Sequence, residues 1–131
     1  MYLSLVMPSE EDHKLEAQKN EVFSKSIESE LSSGGSCGKV NNWIIIAEFY
    51  RAVHYVDAVL SRSSYHPKKH GDRFSYIESR RDFSNKAETV YETIYDLSQQ
   101  ARYNCVKMNK GQVNSARKCI KILENELDNI P

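Results

Sequence analysis

A histidine and an acidic residue lie one helical turn apart in the most apolar part of the chain. His54 and Asp57 interrupt the run Trp43–Leu60, which is otherwise dominated by Ile, Val, Ala and aromatic residues. A helix this hydrophobic belongs at the centre of a bundle, where a titratable ring is costly unless it has a partner. The spacing predicts that Asp57 bonds the His54 ring and favours its protonated form. His54 is then either a group for acid–base or phosphate chemistry, or a core histidine satisfied by Asp57 or a tyrosine hydroxyl.

A basic segment follows this helix. Residues 62–81 hold six Lys or Arg residues against two acids, whereas residues 9–30 hold seven acids against three lysines. The basic segment is predicted to be an anion site, or else a charged surface satisfied by solvent or by the acidic first helix of the same or a partner chain. Four neighbouring side chains in it can each donate to phosphate oxygens: Lys68, Lys69, His70 and Arg73.

The remaining histidine and cysteine patterns do not complete a metal site. His66 and His70 are four residues apart, a spacing that suits a metal only on a helix. Pro67 and Gly71 disfavour a helix there and predict a tight turn instead. The cysteines are scattered without a CxxC pair and are interpreted as thiols in a reducing compartment: Cys37, Cys105 and Cys119. We therefore predict no metal and no cofactor.

Composition limits the class of protein. With 131 residues, 40% hydrophobic and 27% charged, the chain is predicted to be a single domain, 1–131, with one core. Its zero net charge gives no overall attraction to nucleic acid or membrane. The N-terminus lacks the basic flank of a signal peptide, and no segment reaches the roughly 18 apolar residues of a membrane span. We predict a cytoplasmic protein with no membrane partner.

The hydrophobic periodicity is helical throughout the chain. It predicts long helices at roughly 9–32, 42–61, 84–104 and 111–129, and a short helical piece at 74–82. Four long helices joined by short connections predict an all-α, up-down four- or five-helix bundle. The glycine-rich residues 33–38 are predicted to be a flexible connector, and residues 62–75 a loop.

Caps and apolar stripes support these helices. Ser9 with Asp12 forms a capping-box-like start for the first helix, and Ser84 is placed to cap the third. The first helix is predicted to be amphipathic because its apolar residues share one stripe: Leu15, Val22, Phe23, Ile27 and Leu31. The stripe of the third helix is Ala87, Val90, Tyr91, Ile94, Tyr95, Ser98 and Ala101, and that of the last is Val113, Ala116, Ile120, Leu123, Leu127 and Ile130.

Tyrosines are the other group with binding chemistry, since aromatic rings beside a basic loop can stack nucleic-acid bases. Tyr91 and Tyr95 lie on the stripe of the third helix, which predicts core packing for both. Tyr103 follows Arg102 at the end of that helix and is predicted to be exposed.

Three segments follow one another across roughly residues 41–104. They are Trp43 with Phe49-Tyr50-x-Ala52-Val53-His54-Tyr55-Val56-Asp57-Ala58, then His66-Pro67-x-x-His70-x-x-Arg73, then Tyr91-x-x-Ile94-Tyr95-x-Leu97-Ser98-x-x-Ala101-Arg102-Tyr103. In this order they resemble the HEPN family. The resemblance implies a HEPN-like bundle that pairs side by side as a homodimer, with function often at the dimer cleft. The family includes RNA-cleaving toxins, partners of nucleotidyltransferases, and members that bind nucleotides or other proteins.

The chain departs from the catalytic members of that family. HEPN ribonucleases carry an Arg-x4-6-His motif, which brings both side chains to the scissile phosphate. Here two residues separate Arg51 from His54, three separate Arg62 from His66, and seven separate Arg62 from His70. The motif is therefore missing, although folding or dimerisation could assemble an equivalent site.

Three functions remain as hypotheses. The first is a homodimer that binds a nucleotide or RNA phosphate without strong catalysis, through His54, Lys69, His70, Arg73, Arg102 and Tyr103. The second is a divergent metal-independent ribonuclease, the toxin of a toxin–antitoxin pair, using His54, His70, Arg73 and Arg102. The third is a structural or protein-interaction module in which Arg73 pairs with a carboxylate and His70 caps a helix end. The resemblance implies a nucleotidyltransferase-type protein as a further partner.

Overall fold

The computed structural model describes residues 8–31, 40–80, 82–103 and 107–131, and within these ranges it contains five helices and no strand. The predicted all-α helical bundle is confirmed. The four long helices begin and end within two residues of their predicted bounds wherever the ends are described. The connector at 33–38, Cys37 and Cys105 lie outside the described residues. The helices are α1 (Glu10–Leu31), α2 (Val40–Ser61), α3 (His70–Ser79), α4 (Asn85–Tyr103) and α5 (Lys110–Asp128).

Helix α2 is the centre of the bundle and packs against α1, α4 and α5. It takes this position because almost all of its faces are apolar, so that only a fully surrounded site removes them from water. The predicted stripes of α4 and α5 are buried against it, except that Tyr95 is only partly buried. The largest fully buried side chains from α2, α4 and α5 are Phe49, Ile44, Ile45, Leu60, Tyr91, Ile94, Ile120 and Leu123.

The predicted helix starts are confirmed in their hydrogen bonds. The Ser9 backbone N–H donates to the Asp12 carboxylate at 2.9 Å, and the Asp12 N–H donates to Ser9 Oγ at 3.1 Å. Ser84 Oγ accepts from the backbone N–H of Ala87 at 3.0 Å. These bonds satisfy backbone donors that a helix leaves unpaired in its first turn.

Helix α3 begins at His70, which corrects both the loop predicted over 62–75 and the short helical piece predicted at 74–82. Gly71 lies in its first turn and makes no tight turn. Glycine disfavours a helix interior by only about 1 kcal/mol relative to alanine. Burial of Arg73 and Ile77, one helical turn apart on the inner face of α3, outweighs that preference.

Helix α1 is docked by its polar edge rather than by its apolar stripe. His13, Ala17 and Ser24 are buried, whereas Leu15, Val22 and Phe23 are more than half exposed. The side chains of the two other stripe residues, Ile27 and Leu31, lie outside the described part. The amphipathic pattern is therefore present, but in this chain the apolar stripe is turned outward, where it lines a shallow groove of about 510 Å³.

Ion pairs explain that orientation. Arg62 donates two hydrogen bonds to the Glu10 carboxylate at 2.8 and 2.9 Å, and these lower the pKa of Glu10 to about 2. Arg51 reaches Glu21 at 2.5 Å, and Arg117 donates to Ser24 Oγ at 2.9 Å. The acidic first helix thus satisfies part of the basic segment of its own chain. No helix in the described ranges is long and apolar enough to cross a membrane.

Candidate functional site

The site centres on a buried ion pair between α2 and α3. Arg73 Nε donates to Asp57 Oδ1 at 2.7 Å, and Arg73 Nη2 donates to Asp57 Oδ2 at 2.8 Å. The side chains are only 6% and 10% exposed. The remaining guanidinium nitrogen, Nη1, donates to His70 Nδ1 at 3.2 Å. Folding therefore brings together His70 and Arg73, as the sequence predicted, and adds Asp57 as the group that holds them.

His54 has a different partner from the one its spacing predicted. Its Nδ1 lies 3.1 Å from Nδ1 of His13 on α1, so one ring donates to the other. The predicted bond to Asp57 is wrong: the Asp57 carboxylate accepts its hydrogen bonds from Arg73 instead. The predicted preference for a charged ring is also wrong. Burial, and next the neighbouring His13, lower the pKa of His54, and the attraction of Asp57 is too small to reverse this.

Both rings of the histidine pair resist protonation. Burial is the main cause that lowers the pKa of His13, as it is for His54. The charged groups that act on the pair offset one another, since carboxylates raise the pKa of the rings and cations lower it. They are Asp12 and Glu16 from α1, Asp57 from α2, His66 from the loop after α2, and Arg73 from α3.

Acid is expected to destabilise the protein through this pair. The folded rings have lower pKa values than free histidine, so their contribution to stability is complete above about pH 6.5 and declines below it. Melting curves between about pH 7.5 and about pH 5 should show a steeper loss for wild type than for the variant His13→Gln/His54→Gln. His70→Gln keeps the pair but removes one other histidine whose pKa burial lowers, so it should flatten the pH dependence less than the double variant does. Equal slopes in wild type and the double variant would contradict the assignment.

His70 lies at the outer edge of the ion pair, between two arginines. Its ring contacts Phe49 and Tyr95, with ring centroids 5.3 and 5.6 Å apart. Burial, followed by the charges of Arg73 and Arg102, lowers the pKa of His70. The imidazole is therefore held uncharged in a field that attracts anions. His70 is the first residue of α3, and Lys69 before it is exposed and makes no side-chain cap to the helix.

Arg102 lies near His70 and rests on two exposed tyrosines. Its Nη2 donates to the hydroxyl of Tyr50 at 2.8 Å. The guanidinium carbon lies 5.2 Å from the ring centroid of Tyr50 and 5.7 Å from that of Tyr103. Tyr103 is 64% exposed, which confirms the prediction from its place in the sequence. Among the residues the structure describes, no carboxylate lies within salt-bridge distance of Arg102.

A second polar cluster was missed by sequence reasoning. The carboxylate of Glu48, only 2% exposed, lies 3.4 Å from Arg51 and 3.9 Å from Arg117. Arg51 also contacts Glu21 and Glu124. These side chains line a groove of about 760 Å³ between α1, α2 and α5. The sequence does carry a signal for this cluster, since Glu48 and Arg51 are charged residues three positions apart in an apolar helix.

The described side chains around the site do not form a ready metal centre. Within the described ranges, no three His, Cys, Asp or Glu side chains are grouped to hold an ion. His66 and His70 do not share a helix, because α3 begins at His70. Cys119 is partly buried, which raises the pKa of its thiol.

Comparison with models of known families and with curated proteins gives no match.

Proposed function

We propose that the protein is a HEPN-like, cytoplasmic homodimer that binds a nucleotide or RNA phosphate at the edge formed by His70 and Arg102, without strong catalysis. The observation that carries the proposal is the environment of Arg102. In the described part of the chain, Arg51, Arg62 and Arg73 are paired with carboxylates, whereas Arg102 rests on tyrosine rings. A partly exposed guanidinium without a carboxylate is suited to a phosphate, which it can bind through two parallel hydrogen bonds.

The residues proposed from the sequence divide into two groups. Arg73 is already bonded to Asp57, and His54 is already bonded to His13. These two residues therefore position the site rather than contact a ligand. Lys69, His70, Arg102 and Tyr103 are partly or fully exposed and form the proposed contact surface. The charges of Arg73 and Arg102 disfavour protonation of His70, whereas a bound phosphate would favour it and raise the pKa of His70. The affinity for a phosphate should therefore increase as the pH falls.

The homodimer rests on the outward stripe of α1. Exposed apolar patches on a folded protein often mark interaction sites, and Leu15, Val22 and Phe23 form such a patch on one helix. A second copy of the chain is the proposed occupant. A nucleotidyltransferase-type protein remains a further proposed partner, from the family resemblance alone.

Arg102→Ala is expected to weaken the binding of a short labelled RNA about tenfold, or about 1.4 kcal/mol, because it removes a phosphate contact. The dependence of log Kd on log salt should become shallower by about one unit. Fluorescence anisotropy across a salt series measures both quantities. Lys121→Ala, which removes an exposed cation from the groove beside α5, is the matched control. Equal losses in the two variants would indicate nonspecific attraction and overturn the proposal.

Two other functions can be separated from this one by experiment. A structural or protein-interaction module is favoured by the Arg73–Asp57 pair, which is the contact that hypothesis requires. It predicts no RNA affinity in wild type. The divergent ribonuclease, or toxin, needs His54 and Arg73 at the scissile phosphate, and both are engaged elsewhere. If wild type cleaves RNA in EDTA and His70→Ala does not, the ribonuclease hypothesis would be favoured over binding without cleavage.

A further inference from the structure

Three large aromatic side chains are exposed around the proposed phosphate site. Trp43 is 56% exposed, Tyr50 is 37% exposed and Tyr103 is 64% exposed. Trp43 and Tyr50 lie seven residues apart, which is two turns of α2, so they share one face with a separation of about 10 Å along the axis. This face is the exception on a helix that is otherwise buried.

Hydrogen bonds bring these rings to one end of the molecule. The Asn42 side chain donates to the backbone carbonyl of Ala101 at 3.0 Å and accepts from the backbone N–H of Met108 at 2.9 Å. The start of α2, which carries Trp43, is thereby fixed against the end of α4, which carries Tyr103. Lys107, before Met108, is exposed at the same end.

Cations are interleaved with the rings. Arg102 lies against the faces of both Tyr50 and Tyr103, and Lys107 adds a second positive charge nearby. Aromatic platforms combined with positive charge are the means by which proteins hold single-stranded nucleic acid, since the rings stack on bases and the cations neutralise phosphates. A paired strand keeps its base faces inside the helix and cannot use such a platform.

We propose that Trp43, Tyr50 and Tyr103 form a stacking platform that makes single-stranded RNA the ligand of this surface. The inference rests on the proposed function, because Arg102 supplies the phosphate contact, and it extends that function from a phosphate to unpaired bases. The two aromatic positions on α2 and the one on α4 receive separate bases, and Arg102 lies between them.

The single tryptophan of the chain provides a direct signal. Stacking of a base on Trp43 should quench its fluorescence when a single-stranded RNA oligonucleotide is added, and a duplex of the same sequence should quench it much less. Trp43→Leu and Tyr103→Leu should each weaken anisotropy-measured affinity about tenfold, because a stacked base contributes strongly to binding. Trp43→Phe should retain most of the affinity. Tyr65→Leu, a partly buried aromatic that follows the opposite end of α2, is the control and should bind as wild type.

The outcomes separate this inference from the function beneath it. If Arg102→Ala weakens binding while Trp43→Leu and Tyr103→Leu bind as wild type, the platform is wrong and the phosphate site stands. Equal affinity for duplex and single strand would also overturn the platform. If wild type binds neither RNA nor a nucleotide, both proposals fail. None of the variants is at a fully buried position, and circular dichroism confirms that each is folded before its affinity is compared.

Discussion

Replacing Arg73 by leucine is expected to lower the free energy of unfolding by about 3–5 kcal/mol, because it leaves the Asp57 carboxylate buried without its cation. Two hydrogen bonds of 2.7 and 2.8 Å would be lost from a carboxylate that is about nine-tenths buried. His54 is a poor replacement for the guanidinium, since its Nδ1 is bonded to His13 and burial lowers the pKa of the ring. Urea unfolding followed by circular dichroism measures the change.

The double variant Arg73→Leu/Asp57→Leu is the informative control. Removing both charges eliminates the unpaired carboxylate, so the double variant should recover much of the stability that the single variant loses. His70→Ala, which removes only a 3.2 Å contact to the same guanidinium, should have a much smaller effect. A loss below about 1 kcal/mol in Arg73→Leu would show that the pair contributes little to the fold.

The fold could be predicted because hydrophobic periodicity is a local property. The stripes of α4 and α5 repeat every three or four residues, and the structure buries them as expected. Helix α3 could not be bounded in this way. Pro67 and Gly71 are local signals for a loop, whereas the helical start at His70 depends on Arg73 meeting Asp57, sixteen positions earlier in the chain.

The orientation of α1 also could not be predicted from a local sequence pattern. Its apolar stripe predicts an amphipathic helix, but the choice of buried face depends on which partners the rest of the fold presents. Here Arg51, Arg62 and Arg117 contact the polar edge of α1 and hold it inward. The same limit explains why His13 was not paired with His54, since 41 positions separate them. His70 and Arg73 could be grouped from the sequence because only three positions separate them.

Arg51→Leu is expected to be the other strongly destabilising substitution. It would leave Glu48, 2% exposed, in the interior of the bundle, and would free Glu21 and Glu124 from their shared cation. The loss should fall at the lower end of the about 3–5 kcal/mol expected for a broken buried pair, because Arg117 remains near Glu48.

The Arg51→Leu substitution should destabilise α1 more than the rest of the bundle. Arg51 contacts Glu21 of α1 at 2.5 Å. This is one of the polar contacts that hold α1, whose apolar stripe faces outward, against α2. Hydrogen exchange in Arg51→Leu should therefore increase in α1 before α4 or α5, since no described residue of α1 belongs to the two buried apolar clusters of the bundle. Arg80→Leu, which breaks an ion pair with Asp82 that does not involve α1, is the matched control and should not raise exchange in α1 selectively. Uniform exchange across all helices in Arg51→Leu would instead mean that α1 and the bundle unfold as one unit, and that the ion pairs do not hold α1 separately.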